Sequence, residues 1–400
     1  MSWPISRLGE VISFIRGVTF TPEDQVEPFS EGSTVVMRTK NVQVAGLDQS
    51  DLIAVPSGFV RRKEQALREG DILVSSANSW ELVGKASYVP KLAYEATAGG
   101  FISIVRAKES RVDSRYLYHW VACPATQHKI RHCGRQTTNI SNLDVGRFQD
   151  LEIPLPPLPE QKRIAAILDK ADAIRRKRQQ AIQLADDFLR AVFLDMFGDP
   201  VTNPKGWNVV ELSTLVDPDD KLNYGVVQPG DNEEDGVPLV RSGDLSDVTP
   251  DVSQLRRVST SIDSKHRKSK LKGNEILIAC VGTIGRVGWV SEAMIGWNIA
   301  RAVTRIPIRE GVNREYVYRY LQNPVVQGYF ERETRAVAQP TLNVGLIAKT
   351  PVALPPHDLQ IAFLERYRTI QAYKERLLVA LGAQDELAGC LSQRAFAGQL

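Results

Sequence analysis

The chain has 400 residues, 43% of them hydrophobic, with 50 Lys and Arg against 47 Asp and Glu and a formal net charge of +3. That length predicts two or three domains, and the apolar content excludes a mainly disordered chain. No apolar run approaches the ~18 residues of a transmembrane helix. The N-terminal segment MSWPISRLGE has no basic stretch followed by an apolar one, so no secretory signal is read. Four cysteines make no disulfide framework and point to a reducing cytoplasm. The small net charge neither demands nor forbids nucleic acid, because binding depends on where charges lie.

In chain order, the first half opens on short β-rich runs, Ser33 to Met37, Asp71 to Ser75 and Phe101 to Val105, separated by turn residues. A Tyr-rich helical stretch, Ser114 to Arg131, follows, then the Pro-rich break Pro154 to Pro159. The second half repeats this plan with Glu275 to Cys280, Ala302 to Ile308, the helical stretch Asn313 to Arg332 and the break Pro351 to Pro356. The echoes are collinear at an offset of about 200 residues. They run through Trp3 and Trp207, Arg38 and Arg241, Ile72 and Ile276, Gly84 and Gly285, Tyr116 and Tyr316, Gln136 and Gln339, and Gln161 and Gln360. Chance does not produce such an order, so the chain reads as a duplication.

Each half ends in a long helical segment. The first, Glu160 to Phe197, contains no proline or glycine, and at 1.5 Å per residue its 38 residues span roughly 57 Å. Ile164, Ile167, Ala171, Ile174, Ala181, Ala185, Phe188 and Val192 form an apolar stripe broken at Arg178. The second, Asp358 to Arg394, carries Phe363, Tyr367, Ile370, Leu377, Leu381, Ala388 and Leu391, broken at Lys374 and Gln384. Two such stripes most simply pack against each other. The predicted fold is α+β and internally duplicated: two mixed α/β modules joined by two long antiparallel coiled-coil helices with pseudo-two-fold symmetry. Residues 1–157 and 199–356 form the modules, 158–198 the central helix, and 357–400 the C-terminal helix.

The run Leu155-Pro-Pro-Leu-Pro-Glu-Gln-Lys-Arg-Ile-Ala-Ala-Ile-Leu-Asp169, closed by Met196-Phe-Gly-Asp-Pro200, resembles the central linker of type I restriction–modification specificity subunits. The resemblance covers essentially the whole chain, including Gly70 to Val89 and Gly273 to Val290. It implies two target recognition domains, each reading half of a bipartite duplex DNA target. It also implies that the helices set the spacer and dock two methyltransferase subunits, with an endonuclease/translocase subunit joining the full restriction complex. Ile164, Ile167, Arg175 and Leu364 are the expected docking residues. The second linker departs from the pattern, since Pro355-Pro-His-Asp-Leu-Gln360 replaces the Pro-Leu-Pro-Glu-Gln form. The two docks are therefore not expected to be identical.

Catalytic chemistry is missing from the sequence. Gly282-Thr-Ile-Gly-Arg-Val-Gly288 lacks the Lys-Ser/Thr pair of a P-loop and lies between two β-like runs. The Pro-Pro pairs at 156–157 and 355–356 are not followed by the aromatic residue of an amino-methyltransferase motif. Asp217-Pro-Asp-Asp-Lys221 crowds its carboxylates too closely to separate two metal ions and reads as a solvated turn. His119, Cys123, His128, His132 and Cys133 cluster in sequence, but helical spacing puts the pairs on different faces. No metal or cofactor is expected, and the reading is a non-catalytic subunit.

Three loop sets recur at equivalent places with side chains suited to base edges or phosphates. The first is Arg38, Lys40 and Asn41, matched by Arg241. The second is Asn78, Ser79, Trp80 and Lys85, matched by Thr283 and Arg286. The third is Arg135, Gln136, Thr138 and Asn139, matched by Arg335, Gln339 and Thr341. Because Gln136 and Gln339 recur, they suit a scaffold or backbone role, whereas the divergent Asn78 to Leu82 suits base reading. Basic runs at Arg61, Arg62 and Lys63, and at Lys265, Arg267, Lys268 and Lys270, suit phosphate contacts. The run Arg175 to Arg178 fits either a solvated face or a path along the duplex. The rival reading is a coiled-coil scaffold for protein partners that makes no DNA contact.

Overall fold

A computed structural model describes residues 3–44, 46–136, 140–334 and 341–400. The chain forms two compact units, Met1–Ile182 with Arg376–Leu400, and Gln183–Glu375.

The first unit is built on a four-stranded antiparallel sheet in the order Ile12–Arg16, Ile102–Ala107, Ile72–Ser75, Ala86–Tyr88. Ile72, Leu73 and Val74 are fully buried on both faces, which explains why this strand reads as a continuous apolar run rather than an alternating one. A second sheet places Ser33–Met37 between Ala96–Ala98, parallel, and Ile53–Pro56, antiparallel. A two-stranded ribbon, Ile5–Arg7 with Glu152–Pro154, leads into the central helix. A further small sheet orders Gly134–Gln136, Ser141–Leu143 and Ala77–Asn78.

The second unit repeats the first three sheets strand for strand. Its four-stranded sheet runs Asn223–Tyr224, Val303–Pro307, Glu275–Ala279, Val287–Trp289. Val237–Val240 lies between Asn298–Ile299, parallel, and Arg256–Val258, antiparallel. Asn208–Glu211 pairs with Pro351–Leu354. The acid that opens the central strand also recurs in function. Asp71 binds Arg106 through two bonds of 2.7 and 2.8 Å, and Glu275 binds the fully buried Arg305 at 2.6 Å. Asp220, from the acidic turn, is the second carboxylate on Arg305 and also pairs with Lys272.

Each expected Tyr-rich helix is two helices. Ser114–Ala122 gives way to Pro124–His132, and Arg314–Gln322 to Pro324–Thr334. The break precedes a proline each time, because proline forces the residue before it out of the helical region. The first helix of each pair is capped by a side chain, Asp113 or Asn313. The tyrosine that follows fixes the linker: Tyr116 donates its hydroxyl to the Pro154 carbonyl at 2.8 Å, and Tyr316 to the Ala353 carbonyl at 2.8 Å.

The central helix spans Leu158–Phe197 and the C-terminal helix His357–Phe396, 40 residues each. Gln161 and Gln360, one turn in, donate to the Pro156 and Pro355 carbonyls and secure both starts. Gly198, at φ 78°, ends the first helix in the left-handed conformation suited to glycine. In the first unit the helices run antiparallel, Arg175 meeting Asp385 at 2.7 Å. In the second they do so too, with the Phe193 and Phe363 rings 5.6 Å apart. Ile164, Ala185, Val192 and Phe363 are buried as the stripe predicts, but Ile174 and Phe188 face outward, and Leu168, Phe193 and Phe197 take core places. A 3.6-residue helix drifts off a fixed 3–4 repeat over this length.

Candidate nucleic-acid interface

In the first unit, strand pairing brings several segments to one end of the four-stranded sheet. Ser75 stands opposite Ile102 and Arg16 opposite Ser103, so the chain after Arg16, after Ser75 and before Ile102 emerges together. Ser76 and Ala77 donate their amide N–H groups to the Phe101 carbonyl at 2.9 and 3.3 Å. Ala77 and Asn78 pair with Asn142 and Ser141, and that strand pairs with Gly134–Gln136. Arg38 and Thr39 join through a cavity of about 380 Å³ shared with Gln25 and Phe101. The described parts of the three loop sets expected from the sequence thus come together, the third through Arg135.

The second unit gathers the equivalent segments. Cys280 donates its N–H to the Ala302 carbonyl at 2.7 Å and accepts from the Leu342 N–H at 3.0 Å. Thr283 donates its hydroxyl to the Ser242 carbonyl at 3.4 Å, joining the second loop set to the first. A larger cavity of about 1020 Å³ opens there, lined by Tyr224, Val227, Arg301, Thr341 and Asn343 among others.

Within these clusters the candidate side chains differ in what they have free. Arg38 and Lys40 both pair with Asp51. Asn41 is a correction to expectation: it is 1% exposed, donates to the Asp48 and Asp51 carbonyls at 3.0 Å, and accepts from the Arg38 N–H at 2.8 Å. Its amide braces the turn and offers no donor to a base. Asn78, Ser79 and Trp80 are half-buried, with Asn78 bonded to Ser75 and the Ser79 N–H, and Trp80 edge-on to His132. Burial pulls the Lys85 ammonium below the usual lysine range, and it donates to Gln43 at 3.2 Å. Arg135 reaches Asp144 yet keeps its side chain 79% exposed. Arg241 is held by Asp244, while Arg286 and Thr283 are exposed. Gln136 lies in a strand; its side chain, together with Thr138, Asn139, Arg335 and Gln339, lies outside the described residues.

The basic runs flank the clusters. Arg61, Arg62 and Lys63 are exposed, with Arg62 3.4 Å from Glu64. Gln65, two residues on, bonds the Arg16 carbonyl at 3.2 Å and ties this run to the same sheet end. In the second unit, the turn Arg267–Ser269 packs beside the edge strand Asn223–Tyr224, whose Tyr224 lines the cavity. Lys270 is paired with Asp263 and Lys272 with Asp220. Lys265, Arg267 and Lys268 are exposed and have no ion-pair partner among the described residues.

The expected docking residues are placed differently from one another. Ile164 and Leu364 are 1% and 4% exposed inside the unit cores, so neither presents a side chain outward. Ile167 is half-buried, and Arg175 is held by Asp385. The histidines are tied locally: His119 bonds Asp169 at 2.7 Å, and His128 stacks on His132 at 4.4 Å. Among the described residues no three metal-ligating side chains come together, and no helix is long and apolar enough to cross a membrane.

Sequence reasoning missed Phe101, Tyr224 and Arg301 at the cavities, because nothing local marks a residue whose loop is brought in by strand pairing. A repeat signal was present in Gly17-Val18 and Gly225-Val226. These make the same parallel bridge in each unit, to Gly99 and Ala300.

Residues 2–184 and 204–374 match the type I restriction modification DNA specificity domain. The EcoBI specificity subunit of Escherichia coli is 30% identical over 324 residues, covering 74% of this chain and 68% of that protein. The StySPI specificity subunit of Salmonella potsdam is 24% identical and covers 100% of this chain and 89% of its own. Among solved structures, the S subunit from M. genitalium shares the fold at TM-score 0.58 and 14% identity, over 99% of this chain and 96% of that one. A chain from a structure of type I R-M complex assembly and conformational transition does so at TM-score 0.61 and 17% identity, over 100% and 98%. With two matched domains filling most of its length, the chain belongs to the DNA specificity subunits of type I restriction–modification systems.

Proposed function

We propose that each unit reads one half of a bipartite duplex DNA target through the loop cluster at the end of its four-stranded sheet. The carrying observation is that equivalent loops converge at equivalent sheet ends while their side chains differ. Asn78 to Trp80 stand where the other unit has Thr283, and Phe101 stands where it has Ala302. A shared scaffold with divergent tips is what two readers of different bases require. In this reading residues 1–157 and 199–356 are the recognition domains, 158–198 is the linker helix and 357–400 its pairing partner. The subunit is non-catalytic and needs no cofactor of its own.

The 40-residue helices, about 60 Å long, set the unread spacer, somewhat over one and a half turns of B-DNA at ~34–36 Å per turn. They also carry two methyltransferase subunits, joined by endonuclease/translocase subunits for restriction. Burial of Ile164 and Leu364 moves the proposed dock to outward apolar side chains of the helices: Ile174 and Leu387 in one unit, Leu184 and Phe188 in the other. Exposed apolar side chains in series on a helix suit a partner helix.

The test is to replace Asn78 to Trp80 and map methylated sites with the partner methyltransferase present. The base requirement changes in one half-site only. Uniform weakening across all sequences rejects the assignment, and little affinity for duplex, with no steep fall in salt, supports the scaffold alternative instead.

A further inference from the structure

The residues that interrupt the two apolar stripes, Arg178 on the central helix and Gln384 on the C-terminal helix, meet each other. Arg178 donates from Nη1 to the Gln384 Oε1 at 2.7 Å and to the Ala380 carbonyl at 2.7 Å. Gln384, 7% exposed, donates in turn to the Ala171 carbonyl at 2.9 Å. Each side chain therefore bonds the other helix's backbone, and the amide has both its oxygen and its nitrogen satisfied.

We propose that the Arg178–Gln384 pair is the register pin of the helix pair and thereby a specificity determinant for spacer length; the second clause rests on the reading of the helices as the spacer. Around Arg178 and Gln384 the apolar residues alone do not choose a register, because leucine, isoleucine and alanine recur there at similar spacing on both helices. The pin does choose. One turn to either side of Gln384 lies an alanine, Ala380 or Ala388, and one turn to either side of Arg178 lies an isoleucine, Ile174 or Ile182. A one-turn slip sets the guanidinium against a methyl group and the amide against a branched aliphatic chain, leaving both without partners. A single buried polar position is an established way for paired helices to fix alignment. The other interhelical polar pairs, Arg175 with Asp385 and Lys374 with Asp186, have no member as buried as Gln384 and are weaker for it.

A one-turn slip moves one helix by about 5.4 Å along the other, or between one and two base pairs at ~3.4 Å each. Register is read in the full-length chain carrying Cys390→Ser, by disulfide trapping between Arg175→Cys and Asp385→Cys. The displaced registers are read with Arg175→Cys paired to Leu381→Cys or Gly389→Cys. Spacer choice is read by methylating targets of fixed half-sites and varied spacer with the partner methyltransferase.

In the parent background only the native cysteine pair cross-links. With Arg178→Leu and Gln384→Leu together, displaced pairs cross-link as well, and the preference for one spacer over its neighbours falls by about tenfold or more. With Gln384→Ala and Ala388→Gln, which move the acceptor by one turn, cross-linking transfers to the Arg175→Cys and Gly389→Cys pair. The preferred spacer then shifts by one or two base pairs. This second variant keeps a polar pair and decides the matter if the double leucine does not fold. Cross-linking confined to the native pair in both variants overturns the pin. Slipped register with unchanged spacer choice overturns its role in specificity. A parent that methylates no bipartite target overturns the spacer reading, while the cross-links still judge the pin.

Discussion

Gln127 donates its side-chain amide to the Gly84 carbonyl at 2.9 Å, and Gln327 does the same to the Gly285 carbonyl at 2.9 Å in the other unit. Each glutamine also bonds a carbonyl of the preceding helix, Val121 or Leu321. The bond clips the turn that follows the central strand, and with it the second loop set, to the helix behind. Replacing Gln127 with Ala leaves two part-buried carbonyls short of a donor and costs about 1–3 kcal/mol. The denaturant midpoint falls accordingly, and base discrimination loosens in the half-site read by the first unit alone. An unchanged midpoint means that the clip is idle.

The second pair of equivalent residues is Gly17 and Gly225. A Cβ at Gly225 collides with the Ile299 carbonyl, and one at Gly17 with the Gly99 carbonyl. These are backbone atoms locked in a parallel bridge, so the clash cannot be relieved by turning a side chain. Gly225→Ala is expected to cost about 1–3 kcal/mol, the usual range for overpacking. The neighbouring cavity around Tyr224 distorts as the bridge opens. Thermal melting checks the first consequence; altered base preference confined to one half-site checks the second.

Much of this was legible because duplication writes packing twice. Tyr116 and Tyr316, Gly84 and Gly285, and Gln161 and Gln360 recur since each makes the same bond or turn in its own unit. The helix breaks at Pro124 and Pro324 followed from proline chemistry and were hidden only by the aromatic periodicity on either side. What the sequence could not show was partnership over distance. Asn41 has the side chain of an adenine reader, yet its turn consumes it, and Arg178 and Gln384 look like two separate flaws until the helices are laid together. Local spacing identifies which residues are unusual; strand and helix pairing decide what they face.

Asp169 on the central helix supports a pH prediction. Burial pushes its carboxyl up, but hydrogen bonds from His119 and Arg115, and the charge of Arg115, outweigh this and hold it at about 2. A carboxylate depressed below its unfolded value contributes stability that is fully present above about pH 4 and is lost as pH falls toward 2. Because the side chain is 34% exposed, solvent screening trims the contribution to about 1–2 kcal/mol. Melting temperatures followed from pH 5 to pH 2 should drop more steeply for the parent than for Asp169→Asn. Parallel curves reject the assignment.

The proposed phosphate and base contacts fall on different side chains in the second unit. Arg267 and Lys268 are exposed beside the edge strand and lack ion partners among the described residues, whereas Arg301 lines the cavity at the sheet end. Phosphate contacts release counterions without reading sequence, so replacing Arg267 and Lys268 with Ala weakens binding to all duplexes alike. The slope of log K against log salt then falls by roughly 2. Arg301→Ala leaves that slope nearly unchanged and reduces discrimination at one position of one half-site by about 1–3 kcal/mol. Titrations of the methyltransferase-bound subunit at several salt concentrations, on cognate and singly substituted targets, distinguish the two. A sequence-dependent loss from the lysine–arginine pair, or a uniform one from Arg301, reverses the roles assigned to them.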